Sequence, residues 1–186
     1  MEVNLKHIME NSSSVIEFAY KEDIDLNYLL GQIISELNPD LFVIPSPFLD
    51  ILKQNNQWNY NVVDSVYQQE DFIKETLTKR LKDFGGELVV FVDFTEPFKN
   101  EFTDISDLQK RQTSLNDVEH YLNELAESSK SKIILLNKLS SINNALLSAD
   151  SSAKGNIVLH NIRTKLLFDN KEDGTLNCTI IDSEKK

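Results

Sequence analysis

Two places in this chain hold acids where chemistry could be done. The first is YKEDIDLNY, Tyr20 to Tyr28, in which Glu22, Asp23 and Asp25 crowd together and Asn27 follows. It stands between an apolar run, SVIEFA, and an amphipathic helical pattern, LNYLLGQIISELN. Nucleotide-binding proteins keep a phosphate-cradling loop in that interval, because a helix N-terminus offers free N–H groups and glycines let the backbone approach the phosphates. Tyr20 to Tyr28 contains no glycine. Three readings stand: a nucleotide site of unusual chemistry, a nucleotide site that has been lost, and a plain strand-to-helix turn whose acids cap the helix and complement its dipole. The second place is Asp93, at the end of ELVVFVDF. Open α/β sheets bind ligands at the carboxyl ends of their strands, which makes Asp93 the foremost candidate for a catalytic or metal-binding acid. The simpler role for an aspartate that opens the turn DFTEPF is to cap backbone donors without any metal.

The other candidates are weaker. His7, His120 and His160 lie far apart and show no ligand spacing, so no zinc site is expected. The serine of PSP has no recognisable partner, and no G-x-S-x-G nucleophile elbow is present. The acid pairs of EDIDL, QQEDF and NKEDG sit at element starts or in loops, where capping and turn formation account for them. Trp58 and Tyr60 of WNY could stack a base, but a partly buried packing role explains them more simply. Cys178, the one cysteine, is in phase with Leu176 and Ile180 and reads as a structural thiol.

Composition narrows the classes further. At 186 residues, 40% hydrophobic and 26% charged, the chain suits a single α/β domain spanning residues 1–186. No apolar run approaches the roughly 20 residues that cross a bilayer, and the N-terminus does not read as a signal peptide. An intracellular protein, cytoplasmic or nuclear, with no membrane partner is therefore expected. The formal net charge of −11 disfavours unaided binding to a polyphosphate. The thin basic segments, KRLK at Lys79–Lys82 and KSK at Lys130–Lys132, read as solvated surface.

The elements that must position these residues alternate between strand and helix periodicity, the pattern of a mostly parallel sheet flanked by helices. SVIEFA is a first strand. Leu26, Leu29, Leu30, Ile33, Ile34 and Leu37 form one face of the helix after it, with Asp25 as its cap and Asn38-Pro39 as its stop. DLFVIPS is a second strand, FLDILKQN a short helix, and WNYNVVDSVY holds a third, more exposed strand. Ile73, Leu77, Leu81 and Phe84 mark a helix that leaves through Gly85-Gly86. ELVVFVDF is apolar on both faces and belongs at the sheet's centre. NEFTDISDLQKRQTS reads as a polar connector, SLNDVEHYLNELAESS as a helix burying Leu115, Val118, Leu122 and Leu125, and KIILLN as another buried strand. KLSSINNALLS is a short helix. NIVLHN, RTKLLFD and TLNCTIID are three further strands, the last two forming an antiparallel hairpin across NKEDG.

This order, βα units followed by an antiparallel C-terminal ribbon, resembles the RecA/KaiC type of ATPase core. FGGELVVFVDF is similar to the family strand that ends in the Walker B aspartate, with Asp93 at that place. The stretch SADSSAKGNIVLHNIRTKLLFDNKEDGTLNCTIIDSE resembles the family's closing segment, in which Arg163 matches a basic residue. A flavodoxin-like or other doubly wound sheet is the competing fold. The family's phosphate loop has the form G-x-x-x-x-G-K-[ST], whose lysine neutralises charge and whose hydroxyl binds magnesium. Leu26, Asn27 and Tyr28 stand around the lysine and hydroxyl positions, and Glu22, Asp23 and Asp25 bring negative charge instead. What the resemblance implies is a single RecA-like domain without a phosphate loop, a pseudo-ATPase with no catalytic residue, cofactor or metal. Such a chain would act by assembling with other protein subunits, as a homo- or hetero-oligomer, and would meet nucleic acid only weakly or through a partner. DNA recombination and repair is the implied setting, and an accessory subunit of an Elongator-type RNA-modification complex is the alternative. A small ligand-binding or receiver-like domain using Asp93 is the reading from another class.

Overall fold

A strand that is apolar on both faces is stable only between two covering layers, and four segments of this chain are nearly of that kind. The computed structural model describes residues 4–53, 58–102, 105–139, 159, 161–170 and 175–182. In it β1 (Val15–Tyr20), β2 (Leu41–Ile44), β4 (Leu88–Val92) and β5 (Lys132–Lys138) form the middle of a seven-stranded sheet. β3 (Tyr60–Val62) closes one edge, and β6 (Thr164–Asn170) with β7 (Leu176–Asp182) closes the other. The order is β3-β2-β4-β5-β1-β6-β7, parallel throughout except for the antiparallel β6–β7 hairpin. A flavodoxin-like sheet runs 2-1-3-4-5, with β1 between β2 and β3. Here β1 lies between β5 and β6, which rules that competitor out.

Helices cover both faces. On one, α1 (Leu5–Glu10), α2 (Leu26–Leu37) and α3 (Leu49–Lys53) bury Leu5, Met9, Leu29, Leu30, Ile33 and Leu52 against the side of the sheet that carries Phe18, Phe42, Val90 and Ile134. On the other, α4 (Val66–Asp71) runs through a π-helical stretch, Phe72–Leu77, into α5 (Thr78–Phe84). Beside it lie α6 (Glu96–Glu101) and the long α7 (Leu108–Ser129). Ile73, Leu77, Leu81, Phe98, Leu115 and Leu122 there meet Val43, Phe91 and Leu135. The predicted apolar stripe of α5 ends at Leu81; Phe84, the helix's last residue, is 75% exposed. Gly85 and Gly86 do take the left-handed exit, at φ 61° and 66°.

The expected polar connector after Asn100 is mostly helical, because α7 begins two turns earlier than its apolar stripe. The expected helix KLSSINNALLS and strand NIVLHN lie largely outside the described residues. Ile162, just before β6, packs on the α7 side of the sheet, whereas Leu166 and Phe168 of β6 pack on the α2 side. The basic segments are only partly solvated surface: Lys79, Lys82 and Lys130 are exposed as expected, but Arg80 and Lys132 are engaged. Arg80 makes two bonds to Glu87, at 2.7 and 2.8 Å, and Lys132 Nζ donates to the carbonyls of Ser12 and Ser13 at 2.7 and 3.1 Å.

Candidate functional site at the carboxyl edge of the sheet

The turn from β1 to α2 is five residues long and is tied at almost every position. Ile24 is buried and pins it to the core. Asp25 takes an extended backbone and its carboxylate accepts the Asn27 N–H at 2.8 Å, so one of the helix's free donors is already satisfied by an anion. Lys21 pairs with Asp169 on β6 at 3.2 Å, and Asn170 donates to the carbonyl and carboxylate of Asp23. Glu22 lies 3.9 Å from Lys138 at the end of β5. No residue of the turn has a positive φ, so its N–H groups do not form the left-handed nest that encloses an anion. Glu22, Asp23, Asp25 and Asn27 are all exposed.

Asp93 faces this turn from the end of β4. Its backbone is left-handed, φ 50°, a conformation that aspartate tolerates better than most residues, and its side chain is almost wholly buried. The role expected of it in its own turn belongs to a neighbour: the Thr95 N–H donates to Asn137 Oδ1 on β5 at 3.1 Å. The Asp93 carboxylate instead accepts from the Lys138 backbone N–H, while its Oδ1 makes no hydrogen bond and lies 4.0 Å from Lys99 Nζ. Lys99 is also 3.8 Å from Glu96. Burial raises the Asp93 carboxyl above its ordinary value; Lys99 and Lys138 pull the other way and Glu96 adds to the rise. Tyr20, at the end of β1, is driven above the usual phenol range by burial and by the nearby charges of Asp93 and Glu96. The four candidate residues of the turn and Asp93 therefore share one edge of the sheet, with Lys99 and Lys138 as local counter-charges.

The remaining candidates do not join them. Trp58 packs edge-on against Phe42, ring centroids 5.9 Å apart, in the packing role expected, and Tyr60 lies on the edge strand, 43% exposed. His120 is exposed as its helical phase predicts, His160 lies outside the described residues, and no metal-ligating group of three or more occurs among the described residues. Cys178 is half-buried beside the α2-side core, and burial followed by Asp169 pushes its thiol up to about 12, as suits a structural thiol. Ser46, for which the sequence offered no partner, gives both its hydroxyl and its N–H to Asp64.

Sequence reasoning missed a buried polar chain behind the site. Glu17, in the middle of β1, accepts from Asn137 Nδ2 at 3.0 Å and lies 3.2 Å from Lys165 Nζ, out of hydrogen-bond alignment. Lys165 also donates to the Leu159 carbonyl, and Glu119 of α7 accepts the Asn161 N–H at 2.8 Å. Through Asn137 this chain reaches Thr95 and so holds the turn that carries Asp93. A clue was available in SVIEFA, where an acid interrupts an otherwise apolar strand.

Residues 54–185, more than two-thirds of the chain, match the Rad51 family. The chain belongs to the Rad51 family. Its match runs from just before β3 to the end of the hairpin, taking in Asp93 and Arg163, and it begins beyond Tyr20–Tyr28. Membership makes this a RecA-like protein of the recombination and repair class. No curated protein matches the chain. Among the described residues no helix is long and apolar enough to cross a membrane.

Proposed function

We propose that this Rad51-family chain is a non-catalytic subunit, which hydrolyses no ATP and serves recombination and repair by assembling with other protein subunits. The observation that carries the reading is the closed β1–α2 turn. A bound triphosphate needs free backbone donors and a cation at the start of the helix. Here the Asp25 carboxylate occupies the Asn27 donor, two further acids, Glu22 and Asp23, share the turn, and the nearby cations are engaged, Lys21 by Asp169 and Lys138 by Glu22. These residues do not suit a nucleoside triphosphate, and no step of a phosphoryl transfer is assigned to them. Asp93 is buried beside Lys99, whose ammonium supplies a positive charge from within the chain.

Calorimetric titration with magnesium and ATP tests this directly: no saturable heat is expected. Micromolar binding, about −8 kcal/mol on the affinity scale, would overturn the reading. The assembly half is tested by recovering the tagged protein from its source and identifying what comes with it in fixed proportion. Partners from an RNA-modification assembly would keep the accessory role and move its setting. With a net charge of −11, the protein alone should hold short DNA weakly, with binding that falls steeply between two salt concentrations. Tight binding at physiological salt by the isolated chain contradicts the proposal.

A further inference from the structure

Two buried carboxylates share one ammonium where β1, β6 and α7 meet. Glu17 and Lys165 stand opposite each other in the β1–β6 ladder, their side chains 4% and 12% exposed, with Lys165 Nζ 3.2 Å from Glu17 Oε2 but out of hydrogen-bond alignment. Glu119 of α7, wholly buried, lies within the charge of both. With all three ionised, one negative charge is left over in the interior, where an unbalanced charge is expensive. Glu17 Oε2 and Glu119 Oε1 are also buried oxygens without a hydrogen-bond partner. A proton on Glu119 cancels the surplus charge and gives Oε1 an O–H to donate. What the cluster holds is the approach to β6. Lys165 Nζ donates to the Leu159 carbonyl, Glu119 accepts the Asn161 N–H at 2.8 Å, and Asn123 of α7 donates to the Asn161 carbonyl at 3.2 Å. Leu159 and Asn161 belong to no strand, so these side chains rather than a ladder fix their backbone, and Lys165 and Glu119 are ionisable.

We propose that Glu17, Glu119 and Lys165 form a proton-operated latch on the approach to β6, closed while Glu119 holds a proton and loosened when that proton leaves. The approach is the part that yields, because drawing Asn161 away from α7 lets water reach Glu119, whereas Glu17 sits on a strand paired on both sides, with β5 and β6. Among the described residues the charges that act on Glu119 are those of Glu17, from β1, and Lys165, from β6; the approach presents the amide of Asn161, and β5 adds the neutral Asn137 behind Glu17. His120, the next residue of α7, is exposed and lies beside Glu124 instead. Burial first, and then Glu17, push the Glu119 carboxyl up to about 7 in the closed latch, while an opened, hydrated Glu119 returns towards 4.5. The closed form therefore holds the proton more tightly. It is fully favoured below pH 4.5, and its advantage shrinks until about pH 7. The latch works alike in a catalytic and a non-catalytic chain.

Hydrogen exchange of the Asn161 amide in the full chain reads the latch, since Glu119 itself accepts that N–H. With the intrinsic base catalysis of exchange divided out, its protection should fall about tenfold or more between pH 5 and pH 7.5. The exchange should respond only weakly to low concentrations of urea, the mark of a local opening that exposes little surface. Glu119→Gln, which cannot ionise, should show the same protection at both pH values. Glu17→Gln keeps the acceptor for Asn137 but removes a charge that holds the proton on Glu119, so the fall should shrink without vanishing. Three results would each overturn the proposal: Asn161 protection that does not change with pH, a fall that persists in Glu119→Gln, and exchange that climbs with urea as steeply as that of Ile134 at the sheet's centre. The last would mean that Asn161 is released only when the whole chain unfolds.

Discussion

Glu119 offers the sharpest test of the buried polar chain. It is fully buried on α7, and although one oxygen accepts the Asn161 N–H, Oε1 has no hydrogen-bond partner. Burial first, and then the charge of Glu17, raise its carboxyl from 4.5 to about 7; the Asn161 bonds and Lys165 restrain the rise. Lys165 is shared, since it also serves Glu17 at 3.2 Å. Because the folded value exceeds the unfolded one, the folded state holds this proton more tightly. Below pH 4.5 both states are protonated and Glu119 costs nothing. As pH rises through 4.5 the unfolded chain ionises first, and stability is lost until about pH 7, after which the loss is constant. The rise of between two and three units corresponds to about 3 kcal/mol at 1.36 kcal/mol each. Glu119→Gln keeps the acceptor for Asn161 and cannot ionise. Urea unfolding of both proteins at pH 4.5 and pH 8 reads the effect, since all other titrations cancel in the difference. The variant should match the parent at the acid end and exceed it by about 3 kcal/mol at pH 8, a melting shift of roughly 6–12 °C. A difference that does not change with pH, or a variant less stable at pH 8, would refute the reasoning.

Three other substitutions probe the edge that the chain supports. Asn137→Ala strands the Thr95 N–H and Glu17 together and should cost roughly 2–4 kcal/mol in denaturant unfolding. Asp25→Ala removes the cap of α2 and should cost about 1 kcal/mol, read as a lowered melting temperature. Asp93→Asn preserves an acceptor for the Lys138 N–H and a residue type that tolerates a left-handed backbone, so folding and the biological function in cells should survive it. Loss of function at unchanged melting temperature would transfer the argument to a catalytic or receiver role.

Periodic apolar residues made most of the architecture legible. The face of α2, its Asp25 cap, the left-handed Asn38 after it, the central place of β4 and the terminal hairpin all follow from spacing and turn chemistry. The early turns of α7 did not show, because QKRQTS has no apolar residue to mark a phase and a helix there depends on continuity with the packed turns beyond it. At the site, the sequence pointed to Asp93 and to the acids of the turn, but not to Asn137, Lys165 or Glu119. Those three are joined by contacts between distant strands and a helix, and no local pattern signals a pairing such as Glu17 with Lys165. For Asp93 a linear reading offers only the donors of its own turn, because neighbouring donors are the ones it can see.

The position of β1 has a consequence for how the chain is made. Its partners are β5 and β6, so Val15, the first of its residues to pair, meets Ile133 and nothing earlier in the sheet. On a ribosome adding 5–20 residues per second, this apolar strand emerges roughly 6–25 seconds before a place exists for it. β2, β3 and β4 can assemble meanwhile, since they pair only with one another and with β5. The N-terminal segment is thus made first and admitted late, and during that interval Val15, Ile16 and Phe18 are surfaces for a chaperone or for another unfinished chain.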